Sequence, residues 1–160
     1  MIGNDVVDLA LAATDSNWRR PGFLDKVFTT KEQYYILNHP LPDMAVWSLW
    51  SKKESAYKVF NRQSGESALN PLKFECLDMK AQVVQVKAFG RIYFTLTEVL
   101  GELLHTVAVT DLHLLGKTIQ SDSAKIIKYN GMPYFECASR GLVPCSVSHH
   151  GRYYKMVFLS

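Results

Sequence analysis

Residues 45 to 61 read as an amphipathic helix with a lysine inside its apolar stripe, and that pairing limits what the chain can fold into. At about 100° per residue, Val46, Leu49, Trp50, Ala56, Tyr57 and Phe60 gather on one face. Lys53 falls in the middle of that face, with Glu54 on its shoulder and Lys58 one turn beyond Glu54. A core helix does not bury an unpaired ammonium, because desolvating the charge is too costly. Either Lys53 extends along its own methylenes to reach water, or something anionic meets it.

The segments around this helix change period along the chain. Ile2 to Leu9 is β-prone and carries Asp5 and Asp8, and a helix starts near Leu9. Phe23 to Val27 reads as a short helix. Thr29 or Thr30 caps another through Leu37, with Glu32 and Gln33 standing three residues on, in capping-box fashion. The run 38–43 reads as a break. After Asn61 the alternation is strand-like over 72–77, 82–89, 91–97 and 105–113. Residues 123–129 suggest one or two helical turns, and 132–137, 145–148 and 153–159 three further strands. Helices early and strands late predict one α+β domain over 1–160, with helices packed on a mostly antiparallel sheet.

At 160 residues and 48% hydrophobic, the chain can bury a core of its own. It has no apolar run near the roughly 20 residues a membrane helix needs, and Met1 to Asp5 lacks the pattern of a signal peptide. Cys76, Cys137 and Cys145 form neither a disulfide framework nor a zinc spacing, so a reduced, cytoplasmic setting is expected. A net charge of +3 is too mild to point to nucleic acid, and suits an acidic protein partner or a phosphorylated ligand.

Taken one at a time, the polar candidates have bland readings. Asp5 and Asp8 resemble turn and cap acids, and Glu54 a solvated helix carboxylate with Lys58 as its i, i+4 partner. Ser146-Val147-Ser148-His149 points both serines to one side, with His149 at the strand end. Neither serine sits in a Gly-x-Ser-x-Gly elbow. Glycine-rich phosphate loops are also missing, so any phosphate must be held by basic side chains and a metal on carboxylates.

Their order along the chain says more. Gly3-Asn4-Asp5-Val6-Val7-Asp8-Leu9, then Trp50-Ser51-Lys52-Lys53-Glu54-Ser55-Ala56-Tyr57-Lys58, then Ser146-Val147-Ser148-His149 resembles the 4'-phosphopantetheinyl transferase superfamily. That family combines a Gly-x-Asp strand end, an aromatic-Ser/Thr-x-Lys-Glu-Ala/Ser-x-x-Lys helix and a Ser-x-Ser-His strand end. The stretch 23–32 and the turn Gly131-Met132-Pro133-Tyr134 are similar to further family segments, so the resemblance covers 1–75 and 130–160. It is closer to the short holo-acyl-carrier-protein synthase type, whose trimers imply a homotrimer here. The departure is an extra strand-rich segment at about 76–129.

The resemblance implies transfer of the 4'-phosphopantetheine of coenzyme A to a serine of an apo acyl or peptidyl carrier protein, releasing adenosine 3',5'-bisphosphate. The carrier would serve fatty-acid, polyketide or peptide synthesis. Asp5 and Glu54 would hold Mg2+, with Asp8 a lesser candidate. Lys53 and Lys58 would face phosphate oxygens, and His149 with Ser148 the nucleotide's 3'-phosphate. Glu54, a metal-bound water or Lys58 would take the serine proton. Arg19, Arg20 and Lys26 would meet the carrier's acidic helix. Two rivals share these residues: a relative that binds coenzyme A or a carrier without transfer, and a magnesium-dependent pyrophosphate-bond hydrolase.

Overall fold

Strand β1 (Ile2–Asp8) decides where the layers of the molecule go. The computed structural model describes residues 1–67, 69–122 and 125–160. In it β1 pairs antiparallel with β5 (Leu103–Val109), at the edge of a sheet completed by β4 (Arg91–Leu100), β3 (Val83–Ala88) and β2 (Glu75–Leu77). The order is β1-β5-β4-β3-β2. Alternation turns Gly3, Asp5 and Val7 towards helix α4 (Pro42–Ser64), which crosses this sheet. Gly3 makes the approach possible. A Cβ there would lie 2.3 Å from the Ser55 carbonyl oxygen, which is backbone and cannot swing away.

Helix α4 runs longer than its pattern suggests. The prolines at 40 and 42 read as a break, but Pro42 occupies the first turn, where a missing N–H costs nothing. Gly65, at φ 76°, ends the helix in the left-handed region. Smaller helices α1 (Leu9–Asp15), α2 (Phe23–Val27) and α3 (Thr30–Leu37) pack beside it. The core between helices and sheet is built from Val46, Leu49, Ala56, Val59 and Phe60 against Val7, Val84, Val86, Leu104 and Ala108.

The lysine in the apolar stripe meets an anion from within the chain. Lys53 Nζ lies 2.6 Å from Glu32 Oε2, and both side chains are fully buried. Glu32 is the acid of the expected capping box: its Oε2 accepts from Thr29 N, and Thr29 Oγ1 accepts from Glu32 N. Its other oxygen accepts from Cys76 N at 2.8 Å. Lys53 also donates to the carbonyls of Val27 and Pro71. One ion pair thus ties α2, α3, α4 and the start of β2 together. This corrects the expectation that Lys53 faces a phosphate, since its ammonium is turned away into the core.

A second antiparallel sheet has the order β6-β10-β9-β8-β7, formed by β6 (Thr118–Ser121), β7 (Ile126–Tyr129), β8 (Met132–Cys137), β9 (Gly141–His150) and β10 (Tyr153–Leu159). Ile126–Tyr129 is therefore a strand, where helical turns were expected. Asn130 and Gly131, both at positive φ, close its hairpin with β8. Ser123 and Ala124, also part of that expectation, lie outside the described residues. The stretch 76–129 is divided between the two sheets. The fold is α+β, and among the described residues no helix is long and apolar enough to cross a membrane.

Breaking the buried pair should be costly, because either partner alone is an uncompensated charge. Lys53→Met should lower unfolding free energy by about 3–5 kcal/mol, measured by urea titration. A loss under about 1 kcal/mol, the size expected of an exposed pair, would contradict this account of Lys53.

Candidate active site

Among the described residues no strand forms a ladder with the outer edge of β1, and its backbone N–H groups are satisfied by side chains of β9. Asn4 N donates to Ser146 Oγ at 3.0 Å, Val6 N to Ser148 Oγ at 3.1 Å and Asp8 N to His150 Nδ1 at 2.9 Å. The two strands run in the same direction along this seam. From the far side α4 crosses it too: Lys58 Nζ donates to Asn4 O at 2.7 Å and to Val147 O at 3.4 Å, and Arg62 donates to Cys145 O. One turn of helix separates the two basic residues, and it roughly matches the two-residue step between their acceptors on β9.

Asp5, Glu54 and Lys58 converge here. Asp5 Oδ1 accepts from Ser148 Oγ at 3.1 Å and lies 3.8 Å from Lys58 Nζ. Burial pushes the Asp5 carboxyl above its ordinary value, opposed by Lys58, Ser51, Ser148 and His150. Ser51 Oγ is buried beside it and, like Ser148, favours the ionised carboxylate. The Glu54 carboxyl is pushed up to about 7, first by burial and then by the charge of Asp5, with Lys58 opposing. Burial lowers the Lys58 ammonium, and Asp5 and Glu54 counter it. Two buried carboxyls beside one lysine, the charge of Asp5 discouraging ionisation of Glu54, form a site short of positive charge.

Two cavities flank this group and share His149. One, of about 490 Å³, is walled by Phe23, Trp47 and Trp50, with Asp5 and Glu54 at its polar side and Arg20 and Lys26 also lining it. The other, of about 440 Å³, presents Lys58, Arg62 and Lys128 together with Pro133 and Tyr154. Trp47, Arg62, Lys128 and Tyr154 were not among the expected site residues. Arg62 had a signal, standing four residues after Lys58 on the same helix face. Lys128 was hidden by the reading of its strand as helix.

Other expected residues have other duties. Asp8 does not offer a free carboxylate for metal. Arg152 Nε and Nη2 each hold it at 2.9 Å, Arg152 N adds a third bond, and it caps α1 through Leu11 N. These contacts, the Arg152 side chain foremost, hold its carboxyl well below the usual range. Ser148 is buried, and its hydroxyl is used in orienting Asp5. His149 is exposed at the end of β9. Arg19 is paired with Asp43 at 2.9 and 3.0 Å and stacked on Trp18, which leaves Arg20, set over the Phe23 ring, and Lys26 as the basic residues lining the cavity without an ion pair among the described residues.

Among the described residues, no group of three or more His, Cys, Asp or Glu gathers closely enough to hold a metal by itself. The donor set still fits a hard cation of the magnesium kind. Such an ion binds one or two carboxylates and completes its shell with phosphate oxygens and water. Asp5 and Glu54 are two carboxylates whose charges one cation would relieve together.

The pattern of the 4'-phosphopantetheinyl transferase superfamily matches residues 1–110, and the chain belongs to that family. It is a transferase of a family that uses coenzyme A and acts on carrier proteins. No curated protein matches the chain. The matched span contains Asp5, Glu54 and Lys58, and the strands β2 to β5 lie within it. Ser148 and His149 lie beyond it and reach the site through the seam.

Both acids bind a proton more tightly in the folded state than in the unfolded one. Such a contribution is fully present at low pH and lost as pH rises; for Glu54 the loss runs from about 4.5 to about 7, its ordinary and folded values. With a chelator present, unfolding midpoints should fall across that window, and Glu54→Gln should flatten the fall. Equal slopes in both proteins would contradict the assignment.

Proposed function

We propose that this chain moves the 4'-phosphopantetheine of coenzyme A to a serine of an apo carrier protein in a magnesium-dependent reaction. The observation that carries the reading is the convergence of Asp5, Glu54 and Lys58 between an aromatic cavity and a basic one. In the reaction, the serine oxygen forms a bond to the phosphorus bearing pantetheine. The bond from that phosphorus to the bridging oxygen breaks, and adenosine 3',5'-bisphosphate leaves with the electron pair.

Three needs follow: charge neutralisation at the pyrophosphate, a held nucleophile and a proton acceptor. Lys58 supplies one fixed positive charge at the seam. Magnesium on Asp5 and Glu54 would supply the remaining neutralisation when bound. Lys128, Arg62 and His149 suit the phosphates of the nucleotide, and Phe23, Trp47 and Trp50 suit the pantetheine arm. Glu54, whose carboxyl is pushed up to about 7, can accept the serine proton; Lys58, whose ammonium is lowered by burial, is the rival acceptor only in its neutral form, at the expense of its positive charge. Arg20 and Lys26 stand where an acidic carrier helix would approach.

All of these side chains come from one chain, so a trimer is not needed to bring them together. Ser148 enters this reading as the group that orients Asp5, and His149 alone as the contact to the 3'-phosphate.

The test compares release of adenosine 3',5'-bisphosphate with and without an apo carrier. Release that depends on the carrier supports transfer, and release just as fast without it would identify a hydrolase. Glu54→Gln should keep the fold and lower transfer by about 10²–10⁴-fold. Reversing Arg20 and Lys26 to glutamate should raise KM for the carrier and leave coenzyme A binding unchanged, as read by calorimetry. Unaltered transfer in both variants would remove these residues from the site.

A further inference from the structure

Asn4 stands where β1 would otherwise place an apolar residue between Ile2 and Val6, and it is fully buried. Its Oδ1 is buried without a hydrogen-bond partner among the described residues, a standing cost that a hydrophobe would avoid. The rest of the residue is fully engaged. Its N–H donates to Ser146, its Nδ2 donates to Lys155 O at 3.1 Å and lies 3.2 Å from His105 Nε2, and its carbonyl is the nearer acceptor for Lys58. Four elements therefore meet at one residue: β5, β9, β10 and α4.

His105 lies on β5 on the far side of β1 from Lys58, lining a small cavity with Glu98 and Gln120. Burial, then the charges of Lys155 and Lys58, push its imidazole down to about 4. The ring is neutral at ordinary pH, and Nε2 can accept from the Asn4 amide.

We infer that Asn4 and His105 are positioning residues for Lys58: His105 holds the Asn4 side chain, and the Asn4 peptide so fixed sets where the Lys58 ammonium lies. Neither touches the space a substrate would occupy. The inference rests on the proposed transfer reaction for its consequence, and on the hydrogen bonds alone for its geometry. Without the amide, the Asn4 peptide loses its side-chain anchors and its carbonyl is free to shift from Lys58, which then rests on the longer contacts to Val147 O and the Asp5 carboxylate.

The experiment uses the full chain with Asn4→Leu, His105→Leu and His105→Gln. Two quantities are read: steady-state transfer to an apo carrier, and the rate at which each lysine is acetylated by a small active ester, followed by peptide mass analysis. Asn4→Leu and His105→Leu should lower kcat by about 10²-fold, the cost of a misplacement near 1 Å, with little change in KM for coenzyme A. Lys58 should acetylate severalfold faster in both, with buried Lys53 unchanged as the measure of the intact core. His105→Gln, which keeps an acceptor for the amide, should restore both values. Should Asn4→Leu fail to fold, His105→Leu against His105→Gln carries the test alone. Lys58 labelling unchanged, or rising in step with Lys53, would overturn the inference. If the parent protein transfers nothing, the proposed reaction fails, while the labelling still decides whether Asn4 and His105 hold Lys58.

Discussion

The free edge of β1 is the constraint from which the rest of this structure follows. An edge strand exposes a row of unpaired N–H and C=O groups, and here the edge is also the centre of the site. Ser146, Ser148 and His150 take its N–H groups, so β9 lies beside it without forming a ladder. Side chains reaching across in place of backbone hold the two strands apart more widely than a ladder would. Asp5, on the face that α4 crosses, keeps only a small part of its carboxylate exposed where the sheets join. The same hydroxyl that satisfies Val6 N also orients Asp5. Structure and chemistry are thus served by one side chain.

Two lysines five residues apart on α4 show how position decides use. Lys53 points into the core and is matched there by Glu32, with two carbonyls completing its hydrogen bonding. Lys58 faces the seam, where it has two carbonyl acceptors and a carboxylate at 3.8 Å. The first is structural: it joins the small helices to the sheet and so fixes the wall carrying Phe23 and Trp47. The second keeps a partly exposed ammonium beside two acids, where a phosphate can reach it. Glu54, close to Lys53 in sequence, falls on the other side of this division.

Much of this was legible in the residues, and the parts that were not have physical causes. The capping box of Thr29 and Glu32, the α4 stripe and the alternation of Ser146 and Ser148 are local patterns, and the structure realises each. The destination of Lys53 was not, because helical periodicity shows that a charge is buried without naming its partner, here 21 residues away. Asp8 matched a family spacing, yet Arg152, near the other end of the chain, takes its carboxylate. Ile126–Tyr129 was misread because four residues are too few to separate a strand from a helical turn. Asn4 gave no signal at all, since its role exists only after β5, β9 and β10 have met around it.

The central claim is that this seam, within one chain, assembles a complete metal-dependent phosphopantetheinyl transfer site. Its most direct test is intact-mass analysis of an apo acyl carrier protein after incubation with the protein, coenzyme A and magnesium. The account predicts that the carrier gains the mass of one phosphopantetheine, and that EDTA abolishes the gain. Several apo carriers left unmodified, by protein that still binds coenzyme A, would contradict it and leave a binding protein in its place.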